Sequence, residues 1–182
     1  IAEWLAEDHF LLAPSTLFGI HRHVFTAVFP EEIPVGKFRT VNITNKDPVL
    51  DGETVQYSSH CNIQDTLAYD FEKEKNFSYR NLTHEQKALH VMAFLADIWQ
   101  VHPFREGNTR TVAVFGIQYL RKLGFHIDNS LFSEHAAYFR NSLVFYHHHG
   151  EKQDKHFLKI FFENLLLGKK NVLLDEDMYA KE

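Results

Sequence analysis

The sequence predicts one mainly α-helical domain, residues 1–182, with a single small β-hairpin. Three observations favour this fold class. Apolar residues recur at helical spacing over most of the chain. Loop-forming Pro, Gly, Asn and Asp residues concentrate in one stretch, residues 30–52, and no repeat or linker divides the chain. We expect a core that spans about residues 15–168, followed by a charged tail at 169–182.

The first half of the chain is predicted to contain two helices and the hairpin. "STLFGIHRHVFTAVF" has helical periodicity, with Ser15 or Thr16 as its N-cap and Pro30 just beyond its end. "KFRTVNI" and "ETVQYSS" have the composition of short strands, and the turn signal Asp51-Gly52 lies between them. "CNIQDTLAYDFEKEK" is amphipathic, which predicts the second helix.

The second half is predicted to be helical. Thr83 and Gln86 form a capping-box signature before "ALHVMAFLADIWQ", whose apolar residues cover nearly the whole helix circumference. This pattern predicts a central buried helix. "TRTVAVFGIQYLRKLG" is a second helix that ends at Gly124. "SEHAAYFRNSLVFYHHH" and "DKHFLKIFFENLLLG" are two more, and the last has the apolar content of a core element or of a surface between two copies of the chain.

Charge, cysteine content and hydropathy narrow the classes of function. The net charge of −5 gives no global basic field for nucleic acid. No apolar run reaches the roughly 20 residues that span a bilayer. Cys61 is the single cysteine, which excludes an internal disulfide and favours a reducing compartment. We therefore expect a cytoplasmic protein that binds neither nucleic acid nor membrane, while delivery into a host cell as an effector stays open.

The segment "VHPFREGNTRT" combines a base, an acid and the features of an anion site. Pro103 ends the central helix, and a loop with Gly107 leads into the next helix. The first backbone N–H groups of that helix, together with its dipole, are expected to bind an anion. Asn108 adds side-chain donors, and Arg110 adds a planar fork for phosphate oxygens.

Three further side chains of this segment indicate the reaction. Glu106 beside an anion site is explained by a hard cation such as Mg²⁺ that bridges to phosphates. His102, at the other end of the loop, is placed to accept a proton from an incoming hydroxyl. Phe104 is expected to anchor the loop in the core. Each residue alone is also an ordinary cap or solvated side chain, but together they predict transfer of a phosphorus-containing group from a nucleotide to an alcohol.

The stretch "HPFREGNTR" closely resembles the signature of the Fic family, H-P-F-x-[D/E]-G-N-G-R-x-x-R. Gly36 and Arg39 also resemble the G-x-x-R loop of that family, and "ETVQYSS" falls where Fic proteins carry a flap hairpin. The resemblance covers about residues 15–168. It implies a Fic-like helical bundle with one small β-hairpin flap.

The resemblance implies a protein adenylyltransferase that uses ATP and Mg²⁺ to transfer AMP to a Ser, Thr or Tyr hydroxyl of a target protein. By position, His102 would be the catalytic base and Glu106 the Mg²⁺ ligand. The nucleotide-binding residues would be Phe104, Gly107, Asn108, Thr109 and Arg110. The flap residues Val55, Gln56 and Tyr57 would bind the target segment by strand addition.

The sequence departs from the Fic signature at two positions. Thr109 replaces glycine, and a β-branched residue requires ordinary helical backbone angles, so the helix should begin by this residue. Ala113 replaces the second arginine, which in Fic proteins helps to hold the γ-phosphate and pairs with an inhibitory glutamate. The inhibitory motif [S/T]-x-x-x-E-[G/N] is also missing, which leaves open an inhibitor on a separate, antitoxin-like chain or on an upstream segment.

Two other functions stay open. A Doc-like phosphotransferase would carry alanine and lysine in the loop, which Gly107 and Thr109 match poorly. A nucleotide-binding regulatory module without transfer activity is compatible with the missing second arginine.

Three groups of residues outside the motif could also form sites. Tyr138 and Asn141 lie three residues apart on one predicted helix face, where they would line an adenine pocket or pack in the core. Neighbouring residues on a helix point about 100° apart, so residues 147–149, "HHH", are expected to form a solvated helix end rather than a metal site. His21 and His23 point to opposite sides of their helix and are not expected to form a site.

Overall fold

A computed structural model of the chain describes residues 10–179, so the two ends of the expected domain, residues 1–9 and 180–182, lie outside the described residues. Seven α-helices form within the described range. They are α1 (Pro14–Phe25), α2 (Ile63–Lys75), α3 (His84–Val101), α4 (Asn108–Lys122), α5 (Ser130–Glu134), α6 (Ala136–His147) and α7 (His156–Leu167). Short 3₁₀ turns lie at Pro48–Leu50, His60–Asn62 and Asp175–Met178. The prediction of a mainly helical protein is confirmed. No described helix combines the length and the hydropathy that crossing a membrane requires.

The central element of the fold is α3, as the sequence predicted. It packs against α2, α4, α6 and α7, and its buried residues include Val91, Leu95 and Trp99. The predicted capping box fixes its start, because Gln86 N donates to Thr83 Oγ1 at 3.1 Å and Thr83 N donates to Gln86 Oε1 at 2.9 Å. The helix therefore begins at a defined residue and delivers its last turn to one place in the core.

The helix that follows the motif, α4, packs between α1 and α3. At Gly116, a Cβ would lie 2.8 Å from Leu95 Cδ1, so glycine lets the α4 backbone approach α3 closely. Gly124, with a φ of 91°, lies just past the end of α4, as predicted. Close packing of α3 and α4 fixes the loop that joins them.

The segment predicted as the flap is extended but forms no strand. Gln100 Nε2 donates to Gln56 O at 2.8 Å, and Ser58 N donates to Gln100 O at 3.4 Å. The guanidinium of Arg39 also donates to Ser58 O. Residues 53–59 therefore lie against the C-terminal end of α3, and the backbone groups of Gln56 and Ser58 are hydrogen-bonded there.

The predicted β-hairpin flap at Val55, Gln56 and Tyr57 was wrong. The Asp51-Gly52 turn does form, but no strand is present among residues 10–179. Beyond the hydrogen bond from Asp47 N to Glu53 O, at 2.9 Å, the described residues 42–46 and 54–59 make no backbone hydrogen bonds to each other. Gln100 on α3 hydrogen-bonds to Gln56 O and Ser58 N, and Arg39 donates to Ser58 O, so these three groups do not pair with residues 42–46.

Three smaller differences concern the ends of elements. Helix α1 begins at Pro14, and its N-cap, Ala13, lies two or three residues before the predicted caps. Thr16 instead donates its hydroxyl to Leu11 O at 2.5 Å. The helix predicted after residue 133 is two helices, α5 and α6, which meet at His135. The tail docks through Met178, which is buried.

Candidate active site

His102 is the C-cap of α3 and adopts a left-handed conformation, with φ 50° and ψ 58°. Its ring Nδ1 lies 3.2 Å from Trp99 O, so the assigned tautomer donates from Nδ1 and leaves Nε2 unprotonated. The residue is 8% exposed. Burial is the main cause that lowers the pKa of His102 to about 3, with the Arg39 and Arg140 charges adding to it and the Trp99 hydrogen bond opposing it. His102 is therefore neutral near pH 7 and able to accept a proton.

The carbonyl groups around His102 are held by the side chain of Arg39, which is buried. Arg39 Nε donates to His102 O at 2.8 Å, and Nη1 donates to Val41 O at 2.8 Å. Arg39 N donates to Pro103 O at 2.9 Å. One cation thus satisfies carbonyls at the negative end of the α3 dipole and fixes the base, which gives the G-x-x-R resemblance a physical meaning.

Asn108 closes the loop between α3 and α4. Phe104 N donates to Asn108 Oδ1 at 2.9 Å, and Asn108 Nδ2 donates to Phe104 O at 2.9 Å. Both residues are buried, so Phe104 anchors the loop in the core as expected. Both polar atoms of the Asn108 side chain thus hydrogen-bond to the backbone of Phe104, and these bonds hold the loop in shape without a ligand.

His21 supports the same loop from α1. Gly36 N donates to His21 Nδ1 at 2.9 Å, so Nε2 carries the proton and donates to Glu106 O at 3.0 Å. The His21 ring also stacks on the Phe104 ring with 4.0 Å between centroids. Burial lowers the pKa of His21, against the effect of its bond to Glu106 O.

This role of His21 was not predicted from the sequence, where His21 and His23 were weighed only as a pair that could converge on one ion. A signal was available, since Leu17, His21 and Phe25 are four residues apart on the buried face of α1. A polar ring on such a face requires partners for both nitrogens.

Gly107 is the N-cap of α4 and has a φ of 77°. A Cβ at this position would lie 2.6 Å from Phe25 Cε2 and Cζ, so both the backbone conformation and the packing require glycine. Helix α4 begins at Asn108, which confirms that the helix has started by Thr109. Within the described chain, the N–H groups of residues 108–110 have no hydrogen-bond acceptor and are free for an anion.

A cavity of about 200 Å³ lies over this loop. It brings together seven residues singled out from the sequence, which are Tyr57, His102, Glu106, Gly107, Asn108, Thr109 and Arg110. It also has four lining residues that the sequence analysis did not assign, Asn45, Trp99, Arg105 and Arg140. A histidine, the N-terminus of α4, a carboxylate and arginine side chains therefore line one cavity.

Two charged side chains at this cavity, those of Glu106 and Arg110, are exposed to solvent. The Glu106 carboxylate is exposed and makes no hydrogen bond or ion pair with another residue in the described range. Arg110 is also exposed, and its guanidinium lies 5.6 Å from the centre of the Phe25 ring. No group of three metal-ligating side chains occurs among residues 10–179. A lone free carboxylate suits Mg²⁺, which commonly takes one protein carboxylate together with phosphate oxygens and water.

A family model described as Fic/DOC family matches residues 11–120, more than half of the chain. The chain belongs to the Fic/DOC family. No curated protein matches the sequence.

Solved structures with the Fic fold resemble this chain over most of its length. BepC from Bartonella tribocorum, with bound AMPPNP, has a TM-score of 0.69 and 18% identity, covering 90% of this chain and 79% of that one. The N-terminal Fic domain of a VirB-translocated Bep effector protein from Bartonella quintana, with bound ADP, has a TM-score of 0.65 and 21% identity, with coverage of 92% and 82%. That of Bartonella sp. AR 15-3 gives 0.64 and 19%, with coverage of 85% and 70%.

The position of the second arginine of the Fic signature lies in a different environment here. Ala113 is buried and lines a second cavity of about 240 Å³, which also borders Thr109 and Arg110. Aliphatic and aromatic side chains, including Val114 and Phe139, make up much of its wall. Alanine at this position supplies no charge to either cavity.

The two residues considered for an adenine pocket do not line the cavity of this Fic protein. Tyr138 is buried, its hydroxyl donates to Phe157 O at 3.3 Å, and its ring lies nearly parallel to that of Phe161. Asn141 is buried as well and accepts a hydrogen bond of 3.1 Å from Arg140 Nη1. Tyr138 packs in the core between α6 and α7, so the structure favours the packing alternative for it.

The expectation of a solvated helix end at residues 147–149 was wrong for His147 and His148, whereas His149 is exposed. His147 and His148 are buried, and the His147 ring lies nearly parallel to the Trp99 ring. Burial lowers the pKa of His147 to about 4. His148 Nε2 lies 3.3 Å from Glu53 Oε2, which links α6 to the loop before residues 54–59.

Proposed function

We propose that this chain is a protein adenylyltransferase that transfers AMP from ATP to a Ser, Thr or Tyr hydroxyl of a target protein. One observation carries the proposal. The unprotonated nitrogen of the neutral His102 and the free N–H groups at the start of α4 belong to one small cavity. A base beside a phosphate site is the arrangement that phosphoryl or nucleotidyl transfer to an alcohol requires.

The phosphate chain of the nucleotide would be bound by the first turn of α4. The free N–H groups of residues 108–110 and the helix dipole favour the negative charge, and Arg110 adds a charged fork. Glu106 would hold Mg²⁺, which when bound would neutralise part of the phosphate charge. The two Bartonella Fic structures with AMPPNP and ADP support nucleotide binding by this fold.

His102 would act on the hydroxyl of the target. Its Nε2 removes the hydroxyl proton while the hydroxyl oxygen forms a bond to the α-phosphorus. The bond from the α-phosphorus to the bridging oxygen breaks, and pyrophosphate leaves. Because the low pKa of His102 keeps the ring neutral, the base is ready to accept this proton at neutral pH.

The target segment would bind along residues 53–59. A groove of about 600 Å³ lies between this extended segment and residues 42–44, and it includes Val55, Gln56 and Tyr57. Tyr57 connects the groove to the base, since its ring lies 4.0 Å from the His102 ring, centre to centre. An extended target segment that pairs with residues 53–59 would therefore carry its hydroxyl towards His102.

Labelled ATP tests the proposal. The protein is incubated with protein extract and ATP labelled on the α-phosphate or on the γ-phosphate. Label from the α-phosphate on protein supports AMP transfer. Label from the γ-phosphate alone would instead identify a phosphotransferase of the Doc type. ATP binding by calorimetry without transfer of either label would identify a nucleotide-binding regulatory module, which the absence of an arginine at position 113 would allow.

A further inference from the structure

We infer that Arg140 on α6 is a phosphate-binding residue of this site, held in position by the buried carboxylate of Asp47. This inference rests on the proposed function and assigns a further residue to it. Arg140 lies outside the Fic signature and borders the same cavity as His102 and Arg110.

Arg140 is paired with a buried carboxylate. Asp47 is 0% exposed, and its Oδ1 contacts Arg140 Nη2. Asp47 O accepts hydrogen bonds from Leu50 N at 3.0 Å and from Gly52 N at 2.9 Å, which fixes the backbone at this residue. A buried carboxylate is strongly unfavourable without a paired cation, so Asp47 holds the guanidinium of Arg140 in one place.

The outer part of the guanidinium remains available to a ligand. Arg140 Nη1 donates to Asn141 Oδ1 at 3.1 Å, and Nη2 contacts Asp47. The group has further N–H donors that these two contacts do not use. Its side chain is 35% exposed where it borders the cavity. Arg140 and His102 border the same cavity, and the Arg140 charge also helps to lower the pKa of His102.

Arg140 does not stand in the place of the missing second arginine. Ala113 lines the apolar cavity on the other side of Arg110, whereas Arg140 borders the cavity that contains His102. The phosphoryl group under attack must lie next to His102, and Arg140, which borders the cavity that contains His102, would contact that group. Negative charge increases on this group in the transition state, so the contact should lower the transition-state energy more than it strengthens ATP binding.

The alternative is that the Asp47–Arg140 pair only ties the loop at residues 42–52 to α6. A neutral residue at position 140 alone would leave the Asp47 carboxylate buried and unpaired. A loss of activity could then come from this structural damage and not from the loss of a phosphate contact. The double variant Asp47→Asn, Arg140→Gln removes both charges while keeping two side chains that can hydrogen-bond to each other. Arg140→Lys keeps the ion pair but loses the planar fork. Arg80→Ala, an exposed arginine between α2 and α3, is the matched control.

The test compares ATP affinity by calorimetry and the single-turnover rate of transfer from α-labelled ATP, with folding checked by circular dichroism. We expect the double variant to lose about 10²-fold or more in rate, with a smaller loss of ATP affinity, as expected for a donor to the transition state. Arg140→Lys should fall between parent and double variant, and Arg80→Ala should equal the parent. Free guanidinium added to the double variant should restore part of the rate.

Other results separate this inference from the proposed function. A folded double variant with parental rate would show that the pair is only a tether, as would a loss of rate that guanidinium does not restore. A parent protein that binds no ATP would overturn the proposed function itself, before Arg140 is considered.

Discussion

Trp99 Nε1 donates a hydrogen bond of 2.9 Å to Thr109 Oγ1, which joins the last turn of α3 to the first turn of α4. Thr109 stands where the Fic signature has glycine, and its hydroxyl oxygen is an acceptor for the indole N–H that glycine would lack. Trp99 is 1% exposed, so water has little access to replace that acceptor.

Thr109→Val should destabilise the protein, because valine has nearly the same shape but offers no acceptor to the buried indole. An unsatisfied buried donor costs about 1–3 kcal/mol. Thr109→Ser retains the hydroxyl and serves as the control. Urea unfolding gives the free energy of unfolding for each variant, and equal values for valine and serine would show that the hydrogen bond contributes nothing.

His102→Ala should abolish transfer and leave nucleotide affinity within a few-fold of the parent, because the base acts on the target hydroxyl. Loss of a general base costs about 10²–10⁴ in rate. The pKa of about 3 also predicts that the parental rate has no acid limb near the ordinary histidine pKa of 6.5. Rates measured from pH 5 to 8 check this, and a limb near 6.5 would mean that His102 titrates normally.

His147 should make the protein less stable in acid. Its pKa is about 4 in the folded state against an ordinary 6.5, so the folded state binds fewer protons than the unfolded state between these values. The stabilisation is present above pH 6.5 and is lost as the pH falls towards 4. His147→Phe keeps a ring against Trp99 but cannot take up a proton. Between pH 7 and 4.5 the variant should therefore lose roughly 2 kcal/mol less free energy of unfolding than the parent. Urea unfolding at both pH values measures this difference, and parallel losses would refute it.

His21→Ala should weaken ATP binding although His21 does not line the cavity. The substitution removes the acceptor of Gly36 N, the donor to Glu106 O and the stacking on Phe104. We expect ATP affinity to fall by about 10-fold. This corresponds to about 1.4 kcal/mol, the contribution of one hydrogen bond that orders the loop. His23→Ala, on the exposed side of α1, is the control. Calorimetry that gives the same affinity for both variants would remove His21 from the site.

Glu106→Ala should reduce the dependence of ATP binding on Mg²⁺. The carboxylate has no partner among the described residues, so its removal costs little folding energy and affects mainly the cation. Glu106→Gln, which keeps the shape but not the charge, should behave in the same way. ATP titrations with and without Mg²⁺ measure the effect, and an unchanged Mg²⁺ dependence would assign the metal to other ligands.

The sequence predicted the helices and the motif loop because both depend on local patterns. The apolar periodicity of α3, the capping box at Thr83 and the glycines after α4 and α7 each act within a few residues. The flap was mispredicted because strand formation depends on a partner. Residues 53–59 have β-forming composition, but no second strand lies beside them in the described part of the chain, and Gln100 and Arg39 bind only the backbone groups of Gln56 and Ser58.

The residues that support the site were harder to predict because they are distant in sequence from the motif. His21 is 85 residues from its partner Glu106, and Arg39 is 63 residues from its partner His102. Arg140 reaches the cavity only because α6 packs beside α3. A motif read along the chain identifies the residues that contact a ligand, whereas the fold is needed to identify those that hold them.

Loop closure by His21, Arg39 and Asn108 has a consequence for how this molecule opens. The amide hydrogens of Gly36, Arg39 and Phe104 are each donated to an acceptor in the loop or its supports. Their exchange with solvent therefore requires α1, α3 and α4 to separate, and should proceed at the rate of global unfolding. The segment at residues 54–57, whose backbone N–H groups have no acceptor within the described chain, should exchange far sooner. A ligand or protein that changes access to His102 would thus act on residues 54–57, while the loop between α3 and α4 keeps its structure.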